Sequence, residues 1–186
     1  EQGALQAALL DALPNPIFVK GPDTVFIACN AAYERAFNIR REAFIGKTVL
    51  QLDYLPDEAR RAFQDADQRL ISEGGETVEE ITITYADGRA RQALYQRQTF
   101  RLSDGRLGGL IGTIIDISEM KRAERLEKFR SRTLELLATD VSLETILLAI
   151  VAGVEEFDPE LRCSISLSDS GGRAHAQAVA PSLPAD

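Results

Sequence analysis

The chain has 186 residues, 45% of them apolar, which suits one packed domain or two small ones and is too apolar for a disordered segment. Its net charge is −8, with 13 basic and 17 acidic residues up to Ser118 and 8 and 12 beyond it. Neither part has the clustered Lys and Arg with which a nucleic-acid surface displaces counterions from phosphate. Cys29 and Cys163 are too far apart in sequence to read as a disulfide framework, so a reduced, cytoplasmic setting is expected. The longest apolar stretch, residues 146–154, is about half of the roughly 20 residues that span a bilayer, so no membrane contact is expected in this segment. With no signal peptide and a start at Glu1, the chain is expected to be a piece of a longer protein.

Residues 1–13 predict a short helix with Leu5, Leu9 and Leu10 on one side, stopped by Pro14 and Pro16. Residues 17–19 and 25–28 predict two strands around a Gly21-Pro22-Asp23 turn. Asn30 is placed to cap a helix that ends at Asn38, and residues 40–44 predict a further helical turn closed by Gly46. Residues 56–72 predict a longer helix with apolar Ala59, Phe63, Ala66 and Leu70, followed by Gly74-Gly75. Residues 77–84, 90–101 and 107–115 then predict three strands joined by Asp87-Gly88 and Asp104-Gly105 turns, a meander that the two earlier strands extend to five.

Past Asp116 the composition shifts. Residues 119–137 are charged and free of Gly and Pro, predicting one continuous helix. Ser142 is placed to cap the next, in which Leu143, Ile146, Leu147, Ile150, Val151 and Val154 follow helical spacing. Pro159 closes it, residues 162–168 and 174–179 predict a strand pair turned by Gly171-Gly172, and the chain ends with residues 181–186.

Five stretches occur in order: PNPIFVKG, ACNAAYERAF, REAFIGKTV, YADGRARQALYQRQTF and SDGRLGGLIGTIIDISEMKRAE. On these, residues 14–118 resemble a PAS domain over nearly its whole length, with Asp116-Ile117-Ser118 as a form of the Asp-Ile-Thr signature that closes many such domains. Residues 129–186 resemble the opening part of a GAF domain. The resemblance implies an α+β fold with a five-stranded antiparallel PAS sheet, flanking helices, a linker helix and a partial GAF-like unit. The implied organisation is an N-terminal helix (1–13), a PAS sensor domain (14–118), a signalling helix (119–137) and the start of a GAF-like domain (138–186). It further implies a downstream output domain in the same chain, of the GGDEF or EAL type for cyclic-di-GMP turnover or a sensor histidine kinase.

No catalytic constellation is legible. His175 is the only histidine, so residues 1–118 hold no imidazole base, and no Gly-rich phosphate loop occurs. One His and two separated Cys fit no zinc pattern. Heme is disfavoured because residues 56–73 lack the histidine that heme-binding PAS domains place there. Light-sensing flavin is disfavoured because Val49 stands where that class has its reactive Cys, and Ile114 where it has a flavin-contacting Gln.

A small-molecule pocket stays open. Alternation puts Ala93, Tyr95, Arg97 and Thr99 on one face of their strand, and resemblance turns that face, with Leu110, Gly112 and Ile114, toward the cavity, and adds Val49 to the expected ligand-binding residues. Two readings of an inward Arg97 stand: with Tyr95 it meets a ligand carboxylate, or it pairs with an internal acid such as Asp53 or Asp57 or bends out to water. For the relay, Ser118 is placed to cap the outgoing helix, and resemblance makes Asp116 a polar latch between sheet and helix. Met120, Ala123, Leu126, Phe129, Leu134 and Leu137 form an apolar stripe on that helix, either a parallel homodimer seam or a packing face. The expected function is ligand sensing relayed through the helix, with a ligand-free dimerisation scaffold as the alternative.

Overall fold

The computed structural model describes residues 2–157, 161–168 and 174–179, so expectations placed on Pro159, Gly171-Gly172 and residues 181–186 lie outside the described residues. The chain divides into two compact units, residues 1–118 and 119–186.

The first unit runs α1 (Gln2–Ala12), β1 (Ile17–Lys20), β2 (Phe26–Cys29), α2 (Ala31–Phe37), α3 (Arg41–Phe44), a 3-10 turn (Val49–Gln51), α4 (Asp57–Glu73), β3 (Glu76–Thr84), β4 (Ala90–Arg101) and β5 (Leu107–Asp116). The five strands form one antiparallel sheet in the order β2-β1-β5-β4-β3. It is the five-stranded, helix-flanked PAS-like sheet that the sequence predicts.

Both hairpins of the meander use the same chemistry. Gly88 (φ 77°) and Gly105 (φ 84°) take the left-handed position, while Asp87 and Asp104 accept the N–H groups of Arg89 and Arg106. The glycine alone uses positive φ. The aspartate instead holds the turn through its side chain, as in three-residue loops with a bulge glycine.

Asn30 does more than cap α2. It is fully buried; its Oδ1 accepts from the Tyr33 and Ile17 amides, and its Nδ2 faces the carbonyls of Leu10, Leu13 and Asn15. One side chain thus joins the end of α1, the Pro-rich turn, β1 and α2. Asn30→Ala leaves several of these groups unpaired, and each costs about 1–3 kcal/mol when buried. Urea denaturation should register a loss of about 3 kcal/mol, against about 1 for an ordinary cap.

α5 (Ser118–Leu137) begins on the last residue of the first unit, and the second unit holds the rest of it with α6 (Leu143–Phe157) and an antiparallel pair, β6 (Ser164–Ser168) and β7 (Ala174–Val179). Ser142 accepts from the Thr145 amide, as its capping role requires. Leu147 and Val151 are buried on the α6 face that packs against Cys163 and Ile165. Phe129 of the apolar stripe packs over Gly153, where an added Cβ would stand 2.1 Å from the ring. Met120, Leu126, Leu134 and Leu137 stay exposed. No helix among the described residues is long and apolar enough to cross a membrane.

Candidate functional site

Aromatic side chains dominate the space between the sheet and the helices. Phe18 (β1), Phe26 (β2) and Tyr33 (α2) meet edge-on, with centroids 5.6 and 5.8 Å apart, and Tyr95 (β4) stacks on Phe18 at 6.1 Å. Rigid rings cannot fill every gap, and a cavity of about 250 Å³ remains among them, walled also by Val49, Ala59 and Phe63. Of the sequence-predicted site, Tyr95, Ile114 and Val49 line this cavity. Arg97, Ala93, Leu110 and Gly112 are buried on the same inner face but do not line it. Gly112 is covered by Phe18, whose ring would lie 2.1 Å from an added Cβ. Thr99 sits at the sheet margin, accepting from the Gly75 amide.

Arg97 is 2% exposed and its guanidinium is already engaged. It donates to Asp67 Oδ1 at 3.0 Å and to Glu79 Oε1 at 2.8 Å, and lies 4.8 Å from the Tyr95 ring. Asp67 is fully buried on α4 and also accepts from Lys20 Nζ at 2.5 Å. Of the two readings set out for Arg97, the geometry is that of pairing with an internal acid, and the acid is Asp67 rather than Asp53 or Asp57. Asp57 opens α4 and Asp53 lies in the turn before it, both beside Arg60, whereas Asp67 shares the inward face with Phe63 and Leu70. Lys20 escaped the sequence reading altogether because the strand was ended at Val19. Burial lowers the Lys20 pKa, and Asp67 opposes that shift.

Lys20 is 1% exposed and is, among the described residues, the one charged side chain on the cavity wall. Its Nζ lies 4.3 Å from the Phe26 centroid and 5.5 Å from that of Phe18. The other polar groups on the wall include the paired Tyr33 and Tyr54 hydroxyls, 3.1 Å apart. Burial, then Tyr54, holds the Tyr33 phenol well above its ordinary pKa, so it is a neutral donor–acceptor. No cluster of His, Cys, Asp or Glu suited to a metal ion occurs among the described residues. Cys29 is buried outside the cavity wall, and burial, with Glu34 nearby, pushes its thiol to about 11. Against an ordinary 9.0, that leaves roughly a hundredfold less thiolate at pH 8. Iodoacetamide should therefore spare Cys29 in the folded chain and alkylate it only in denaturant, as peptide mass mapping can show.

The base of the sheet carries a second polar cluster. Asp116 Oδ1 accepts from the Ser118 amide at 2.9 Å, and Oδ2 lies 3.3 Å from Arg91 Nε. The Ile117 amide donates to Gln92 O, and the Gln92 amide donates to Ser118 Oγ at 3.1 Å. The capping role expected of Ser118 thus falls to Asp116, because the Ser118 hydroxyl is held by β4. Arg91 also pairs with Asp87 and lies 4.4 Å from the Tyr85 ring. Tyr85 stacks on Phe37 at 5.7 Å, and Phe37 stacks on the cavity residue Tyr54 at 5.9 Å. Arg91 and Tyr85 were missed, although Arg91 falls on the same alternation as Ala93, Tyr95 and Arg97.

A five-stranded antiparallel sheet in the order β2-β1-β5-β4-β3 that shelters an aromatic cavity is the architecture of a PAS-type module. The PAS fold family model matches residues 10–122, and the chain belongs to that family. It is 29% identical over 168 residues to the virulence sensor protein BvgS of Bordetella pertussis, covering 83% of this chain and 13% of BvgS. It is 29% identical over 129 residues to the methyl sulfide methyltransferase-associated sensor of Methanosarcina acetivorans, covering 68% and 11% of the two chains. The chain therefore spans only about an eighth of the length of these curated relatives. The solved PAS domain of B. pertussis BvgS superposes with a TM-score of 0.56 at 29% identity, covering 72% of this chain and 98% of that one. A structure of VqmA bound to DPO superposes with a TM-score of 0.54 at 25% identity, covering 61% and 57%.

Proposed function

We propose that residues 14–118 bind a small molecule in the aromatic cavity and pass its presence to the helix that starts at Ser118. The observation that carries this reading is the unbroken row of ring contacts from Tyr54 through Phe37 and Tyr85 to Arg91, which ends on Asp116. Ligands shift equilibria by favouring one of two arrangements, and a packed row that borders both sites lets the cavity bias the knot. The Arg91–Asp116 pair is part-exposed and worth at most about 1 kcal/mol, so a modest bias suffices to change its occupancy. VqmA, whose fold is similar over part of its length, is bound to DPO in its solved structure, which supports a ligand-binding reading here.

The remaining parts of the reading are organisational. Residues 119–137 act as a signalling helix and residues 138–186 as the start of a GAF-like domain, upstream of an output domain of the cyclic-di-GMP or histidine-kinase type, in a cytoplasmic setting. The exposed Met120, Leu126, Leu134 and Leu137 form the seam of a parallel homodimer. The ligand-free dimerisation scaffold is the competing function. Native mass spectrometry of the purified chain separates the two. A bound small mass that disappears in Ala59→Phe, which fills the cavity from α4, is the expected result. Bare chain mass in both proteins would leave the scaffold.

A further inference from the structure

Resting on the ligand-cavity reading above, we infer that the cavity selects an uncharged, flat ring compound carrying a hydrogen-bond acceptor, and that Lys20 Nζ is the donor that reads it.

Three observations fix that chemistry. First, the charge around Lys20 is already balanced. Lys20 and Arg97 face Asp67 and Glu79, two cations against two carboxylates. A ligand carboxylate or ammonium would enter an apolar space with no counter-charge left for it, and burying such a charge is costly. Second, the Nζ ammonium gives one hydrogen bond to Asp67 and has spare N–H groups. It lies against the Phe18 and Phe26 rings that wall the cavity, and among the described residues Asp67 is its one hydrogen-bond acceptor, so no other protein group satisfies those donors. A carbonyl oxygen or ring nitrogen would. Third, aromatic rings and aliphatic side chains share the walls, and at about 250 Å³ the cavity falls below the 300–1,000 Å³ of ordinary ligand sites, which suits one small ring stacked on Phe18 or Tyr95.

The test uses three probes of matched shape on the 186-residue chain, followed by amide NMR titration: acetophenone (ring plus acceptor), α-methylstyrene (the same outline without acceptor) and benzoate (charged). Acetophenone should bind about tenfold more tightly than α-methylstyrene, the value of one hydrogen bond to a buried charged donor. Benzoate should not compete. In Lys20→Met the acetophenone preference should vanish while α-methylstyrene still binds. The wild-type comparison stands without that variant, should it fold poorly. Equal binding of acetophenone and α-methylstyrene, or tighter binding of benzoate, overturns the inference and leaves the cavity reading intact. No cavity shift with any of the three, nor with xenon, overturns the cavity reading and the inference with it.

Discussion

Asp67→Ala should lower stability at pH 7 by about 3–5 kcal/mol in urea denaturation, the cost of leaving a buried ion pair with one partner. The effect is large because one fully buried carboxylate serves both Lys20 and Arg97, which are 1% and 2% exposed. Arg97 keeps Glu79, but Lys20 keeps only its contacts with the Phe26 and Phe18 rings and no carboxylate. The pH dependence follows. Burial already holds the folded-state Lys20 pKa below its ordinary 10.5, so between those two values the unfolded chain binds the extra proton and stability rises with pH. Removing Asp67 removes the group that opposes that shift, so the rise should begin at lower pH in the variant and end near 10.5. Lys20→Met combined with Asp67→Leu should recover much of the loss, since an apolar replacement of a buried pair is often neutral or better. A loss under about 1 kcal/mol for Asp67→Ala would show that the cluster is hydrated.

Gly109→Ala should be about as damaging, by about 4 kcal/mol, for an unrelated reason. Gly109 has φ 137°, where a side chain is strained, and an added Cβ would stand 1.9 Å from the Lys20 carbonyl oxygen and 2.9 Å from its carbonyl carbon. A backbone atom cannot rotate away, so β1 and β5 must separate at the point where Lys20 pairs with Leu110. Strain of about 1–3 kcal/mol and overpacking of similar size add. Because β1 carries Lys20, the variant should also weaken probe binding in the cavity. Gly88→Ala is a control with strain but no clash: Gly88 has φ 77° and nothing within 4 Å of an added Cβ. It should cost about 1–2 kcal/mol.

Much of this architecture is written in local signals. The two Asp-Gly turns fix the meander, Asn30 and Asn38 bound α2, and alternation along β4 puts Ala93, Tyr95 and Arg97 on the inner face. The site was less legible, and its polar members least of all. Periodicity assigns polar residues to solvent, so Gln64 and Asp67 on α4 were passed over, although Asp67 falls four residues after Phe63 and three before Leu70. An inward Arg97 already demanded an acid; the face of α4, rather than its first turn, was the place to look. Lys20 was hidden by a boundary error of one residue on a strand of four. The division of inner-face residues between cavity and solid core has no signature in the sequence. Ile114 lines the cavity and Gly112 does not, because the Phe18 ring lies over the glycine.

The claim at the centre of this account, that the state of the cavity reaches Asp116, is most directly tested with xenon, which enters apolar cavities and makes no demand on ligand chemistry. Amide spectra should be collected with and without xenon pressure for the wild-type chain and for Tyr85→Ala, which removes the ring between Phe37 and Arg91. The account predicts shifts at the cavity and at Gln92, Ile117 and Ser118 in the wild type, and shifts at the cavity alone in Tyr85→Ala. Cavity shifts in the wild type with Gln92, Ile117 and Ser118 unmoved would contradict it.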